Sequence, residues 1–104
     1  MAERLEGTKI AFFAAPQGTE QVELVVPWER LTDAGAELEL VSLEPGQIQM
    51  VNHRERGGTF AVDRVVGEVT PDAYDGLVLP GGVANPDAAR MNPEAVAFVR
   101  GFFD

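Results

Sequence analysis

"YDGLVLPGGVANPD", residues Tyr74 to Asp87, decides the fold. The aliphatic run Leu77-Val78-Leu79 reads as a buried strand. It stops at Pro80-Gly81-Gly82, a turn with almost no side chain to obstruct it. A strand-to-helix loop would suffice to explain the glycines. A bare backbone at the end of a buried strand is also what a ligand-binding turn requires, and the rest of the chain bears on that choice.

Upstream, "TKIAFFAA" (Thr8–Ala15) is a continuous apolar run bounded by Pro16 and Gly18. Such a run suits a strand covered on both faces, as in a parallel sheet. In "GTEQVELVVPWERLTDAG", Gly18 or Thr19 can cap a helix, with Glu20 and Glu23 at its positive end. Leu24, Trp28 and Leu31 share one face at helical spacing, and Gly35 supplies the stop. Pro27 removes an amide donor and crowds the carbonyl of Glu23, which predicts a kink or an irregular first turn. "AELELVSL" (Ala36–Leu43) sets Leu38, Leu40 and Ser42 on one face and Glu37, Glu39 and Val41 on the other, a second strand. Residues 47–69 read as a hairpin with its loop at 53–58. Asn92-Pro93 then opens a helix whose core stripe is expected to be Val96, Val99 and Phe103, with Phe98 and Phe102 beside it.

The order strand, helix, strand, hairpin, strand, helix argues for an α/β fold: a flavodoxin-like parallel sheet with helices on both faces and a small β-hairpin insertion, in one domain spanning 1–104. Ligands in such sheets bind beyond the C-terminal ends of the strands. The loops Pro16–Glu20 and Gly81–Asp87 are therefore the ones to inspect.

Composition narrows the function classes. The 104 residues are 45% hydrophobic, enough for one core. The net charge of −9, from 17 acidic and 8 basic residues, repels nucleic acid and anionic membranes. No apolar run is long enough to span a bilayer, and "MAERLEGTKI" lacks the apolar core of a signal peptide, so a cytoplasmic location is expected. With no cysteine, the chain has no disulfide, thiolate metal site or cysteine nucleophile of its own.

Few residues could carry chemistry. Glu20, at the mouth of the first loop, is a helix-end acid by position and a carboxylate aimed into the crevice by function, expected to be substantially buried near Gly81–Gly82. Gly81 and Gly82 can be a plain turn or an oxyanion hole, in which unobstructed amides face a developing negative oxygen. A Ser42–His53–Asp63 triad can be written from the only serine and the only histidine, but nothing nearby resembles a nucleophile elbow. A metal site from His53, Glu55 and Asp63 would sit on a polar loop. No dinucleotide or Walker loop is present, and no cofactor or metal is expected.

The combination is more specific. "GTEQVELVVPWERLTDAGAELELVSLEPG", "YDGLVLPGG" and "NPEAVAFVRGFF" together resemble the PfpI-type intracellular protease branch of the DJ-one superfamily, a class I glutamine-amidotransferase-like group, from about Thr8 to Asp104. The pattern Glu20, Glu23, Leu24, Pro27 followed by Leu79–Gly82 carries the resemblance, and Pro27 falls where that family has a proline. The resemblance implies that Glu20 is the acid contacting the nucleophile. Gly81 and Gly82 would form the oxyanion turn, and Asp87 would reach a neighbouring subunit's histidine. It implies a cysteine-dependent hydrolase of peptidase, glyoxalase or deglycase type, related to stress, acting on a small carbonyl compound or glycated protein and assembling as a homo-oligomer. The family's Cys-His nucleophile elbow follows the next strand, so the chain matches the N-terminal portion of such an enzyme and is expected to be inactive alone. That elbow strand would pair beside "GLVLP". The alternative is a non-catalytic α/β binding module.

Overall fold

A computed structural model of the chain describes residues 5–81 and 92–103. Strand β1 (Lys9–Phe13) lies between β3 (Glu37–Ser42) and β7 (Gly76–Val78), and β6 (Arg64–Val65) adds beyond β3. The order β6-β3-β1-β7 is parallel throughout, in registers such as Phe12↔Leu40 and Phe12↔Val78. A second, three-stranded sheet of β2 (Gln17–Glu20), β4 (Gln47–Asn52) and β5 (Glu55–Ala61) pairs β2 parallel and β5 antiparallel to β4.

Two cores follow from the period-2 alternation of β1. Ala11 and Phe13 face Val41, Val66, Tyr74 and helix α2 (Pro93–Arg100), which contributes Ala95 and Phe98. Phe12 and Ala14 face Leu40, Ile48, Met50 and helix α1 (Gln21–Asp33), which contributes Leu24. The helices therefore cover opposite faces of the parallel sheet, as the sequence predicts. Trp28 ties α1 to both layers, 5.0 Å from the Phe12 ring and 4.7 Å from that of Phe60 on β5.

Three expectations are corrected. Gln17–Glu20 is a strand rather than a loop, because its backbone pairs with β4, and Glu20 rather than Gly18 or Thr19 is the residue at which α1 begins. The hairpin turn is only His53-Arg54: His53 takes φ 58°, and Glu55 already pairs with Asn52. The inward stripe of α2 is Ala95 and Phe98, continued by Phe102 in the turn that follows, while Phe103 is 81% exposed. Pro27 lies inside α1, which is a single element from Gln21 to Asp33.

Two aspartates open the outer strands of the parallel sheet. Asp63 accepts from the Leu40 amide at 2.7 Å and Asp75 from the Lys9 amide at 2.8 Å, and each returns its own N–H to the carbonyl of the same residue. Beside them Glu39 is 13% exposed in its side chain and accepts from the Tyr74 hydroxyl at 2.7 Å, with Lys9 Nζ at 3.7 Å and Arg64 Nε at 3.4 Å. Burial pushes the Glu39 carboxyl up, but the Tyr74 hydroxyl and the Lys9 and Arg64 charges outweigh it and hold it below the usual glutamate value. Burial and the bond to Glu39 push Tyr74 up.

The signs set a pH window. A depressed carboxyl stabilises the fold above its unfolded value of 4.5 and loses that contribution as pH falls through the lowered folded value. A raised phenol stabilises below 10.0 and loses its contribution as pH rises. Glu39→Gln should cost about 1.5–3 kcal/mol near neutral pH and flatten the acid limb of a stability–pH profile from urea unfolding. Tyr74→Phe should flatten the alkaline limb. Unchanged limbs in both variants would show that the network does not couple to folding.

Candidate functional site

The C-terminal ends of β1 and β7 lie side by side, since Phe12 pairs with Val78. Past β1, the buried pair Ala14-Ala15 leads through Pro16 into β2, whose last residue is Glu20. Past β7, Leu79 and Pro80 lead to Gly81. The two segments meet there: the Glu20 amide donates to the Gly81 carbonyl at 2.8 Å. The crevice between the strand ends is thus closed by a backbone bond between the first loop and the glycine turn.

Glu20 is half-buried, and its carboxylate is engaged by the hairpin. Its Oε2 accepts from the His53 amide at 3.1 Å, at the tip of the hairpin. The carboxylate over Gly81 is that of Glu23, one helical turn further on. A Cβ built on Gly81 would overlap it, lying 2.8 Å from Cδ and 3.1 Å from Oε2. Glu23 is the residue that sequence reasoning treated only as a helix-end acid and as part of a pattern. The available signal was spacing, because residues three apart share a helix face.

The next residue, Gln21, completes the joint. Its Oε1 accepts from the Gly58 amide at 2.7 Å, and Gly57 has no room for a Cβ, which would fall 2.6 Å from that oxygen and 3.2 Å from the Met50 carbonyl oxygen. "RGG" in the hairpin is therefore a docking face for the start of α1 rather than a loop. Helix α1 begins with no side-chain cap of its own.

Gly82 and Asp87 lie outside the described residues. The serine–histidine–aspartate set is not assembled: buried Ser42 donates to the Ala14 carbonyl at 2.5 Å, Asp63 holds Leu40, and exposed His53 occupies the hairpin turn. Among the described residues no group of three His, Cys, Asp or Glu could hold a metal, and no helix is long and apolar enough to cross a membrane.

A profile described as the DJ-1/PfpI family matches residues 8–104. The chain is 41% identical over 95 residues to the deglycase PfpI of Pyrococcus furiosus, covering 91% of this chain and 54% of that protein. It is 31% identical over 83 residues to protein/nucleic acid deglycase 2 of Escherichia coli, covering 80% and 46%. The crystal structure of the VC2308 protein superposes with a TM-score of 0.80 at 24% identity, covering 91% of this chain and 46% of that one, which speaks to the fold alone. The chain spans about half the length of the curated relatives it matches.

His53 is the one described non-glycine residue at positive φ. Histidine tolerates that region better than a β-branched residue does. His53→Val should lose about 1–2 kcal/mol of stability by urea unfolding, and His53→Gly should stay within ~0.5 kcal/mol of the parent, as strain relief and unfolded-state entropy oppose each other. Equal losses in both would mean that the imidazole, not the turn, is what the position requires.

Proposed function

The chain belongs to the DJ-1/PfpI family, and from that premise we propose that it forms the supporting half of the active site of a cysteine-dependent deglycase-type hydrolase. The chain has no cysteine, so the attacking sulfur is assigned to protein outside these 104 residues. The observation that carries the reading is the joint at Gly81: the Glu20 amide is bonded to its carbonyl and the Glu23 carboxylate lies over it.

In this reading a thiolate attacks the carbonyl carbon of a small carbonyl compound or of a glycated protein. The new C–S bond pushes the carbonyl electrons onto oxygen, and backbone amides of the Gly81–Gly82 turn hold that oxyanion. The first-turn acids manage the thiol's proton. Glu23 is the better placed to take it, being over the turn, while Glu20 holds the crevice together through Gly81 and His53 and stands beside it as the second acid. Asp87 is assigned to an intersubunit contact in a homo-oligomer. The relatives named as deglycases support the reaction class, which calls for a cytoplasmic location.

The test is methylglyoxal consumption by the 104-residue chain and by a longer form carrying the Cys-His elbow, the latter with and without Glu20→Ala and Glu23→Gln. The short chain should be inactive. The longer form should be active, and Glu23→Gln should cost about 10²–10⁴-fold in kcat/KM, the range for a positioned acid or base. Glu20→Ala should lower activity through a looser crevice. Turnover by the short chain would overturn the assignment of the nucleophile. An inactive long form with an intact fold would favour the non-catalytic binding module.

A further inference from the structure

The outer face of the three-stranded sheet carries a groove of about 370 Å³ lined by Gln17, Gly18, Gln49, Val51, Arg54 and Arg56. Alternation along β4 explains its composition. Ile48 and Met50 are buried at 1% and 3% exposure on the inner face, so Gln49 and Val51 point outward. The registers then bring Gln17 beside Gln49 on one side and Arg56 beside Val51 on the other. Arg54, the second residue of the hairpin turn, closes one end.

Gln49 prearranges the groove. Its two Nε2–H groups are shared among the carbonyls of Met50, Gly57 and Gly58, at 2.9, 2.8 and 3.1 Å, which leaves Oε1 to accept from Arg56 Nε at 3.0 Å. The Arg56 guanidinium is thus held by its inner nitrogen, with its terminal nitrogens left as a donor fork. Among the described residues, no carboxylate lies within ion-pair range of Arg54 or Arg56. The neighbouring acids are turned elsewhere: Glu20 to the His53 amide, and Glu55 to the opposite face of β5. Two uncompensated guanidiniums in a concave, partly apolar groove are a local reversal of sign in a chain of net charge −9. An anion repelled by most of this surface is attracted at this place.

We propose that this groove is a binding site for a small oxyanion, the carboxylate of an organic acid or the phosphate of a phosphate ester, held by Arg54 and Arg56 with Val51 as its apolar floor. The proposal does not depend on the reaction assigned to the crevice. Its position is nonetheless adjacent: Gly18 lines the groove two residues before Glu20, and Arg54 follows the residue whose amide holds the Glu20 carboxylate.

The test is nuclear magnetic resonance on the ¹⁵N-labelled protein in the form its gene encodes. Inorganic phosphate and succinate are titrated separately at constant ionic strength against chloride. The amides of Gly18, Val51 and Arg54 and the Nε–Hε signal of Arg56 should shift saturably, with Kd on the order of 1–10 mM for two charge-assisted contacts. The Nε–Hε signals of Arg30 and Arg100 should stay still. Arg54→Gln should weaken binding at least about fivefold, and the double variant with Arg56→Gln should abolish saturation with the remaining spectrum unchanged. If Arg56→Gln unfolds the hairpin, Arg54→Gln decides alone. Saturation by phosphate only, by succinate only or by both identifies which oxyanion the groove takes, and each supports the site. Linear shifts with both anions, shifts equal to those at Arg30 and Arg100, or binding unaffected by Arg54→Gln would overturn it.

Discussion

The sheet is organised by the sealed C-terminal part of β1 and the two alanines that follow it. Ala11, Phe12, Phe13, Ala14 and Ala15 are all between 0% and 1% exposed, so β1 must be roofed on both faces and paired on both edges. Alternation does the rest: Phe12 calls for one layer, which α1 and the small sheet provide, and Phe13 for another, which α2 provides. A strand covered on both faces and both edges leaves only its ends for function. The joint between Glu20 and Gly81 lies at its C-terminal end, and the Glu39–Tyr74–Lys9–Arg64 network lies towards the other, where Lys9 begins the strand.

The parts of this arrangement that were legible in the sequence are those specified by side-chain pattern. The apolar run of β1, the alternation of Leu38 and Leu40 against Glu37 and Glu39, and the Asn92-Pro93 helix start each announce themselves locally; Asn92 does accept from the Ala95 amide. The parts that were not legible are specified by backbone partners distant in sequence. "QGTE" has no strand pattern, and becomes β2 only because β4 presents an edge to it. Gly57-Gly58 reads as loop, and is strand because Gln21 needs the space. In α2 five apolar residues within eight positions offered two stripes one residue apart, and packing against Tyr74 and Phe13 chose the one through Phe98. The site was legible in the same uneven way: the glycine turn and the acid after β1 stand out, but which of two acids covers Gly81 depends on helix phase and on an amide at His53.

The start of α1 gathers these long-range choices into one place. A helix N-terminus ordinarily has its free amides satisfied by a local serine, threonine or aspartate. Here the polar side chains of the first turn are committed elsewhere: Glu20 to the hairpin tip, Gln21 to the hairpin's glycines, Glu23 to the strand-end turn. The helix forgoes its own cap and in exchange fixes three separate segments about one point. The positive end of the helix dipole makes that point tolerant of acids, and it equally favours any other negative charge brought there. In the proposed reading that charge is first a thiolate and then an oxyanion, each of which would find the same field already oriented. A local cap substituted at position 20 would therefore stabilise the helix as an isolated element while releasing the hairpin tip that the Glu20 carboxylate holds beside the strand ends. The sequence favours the joint, as expected where geometry at the strand ends matters more than the last increment of helix stability.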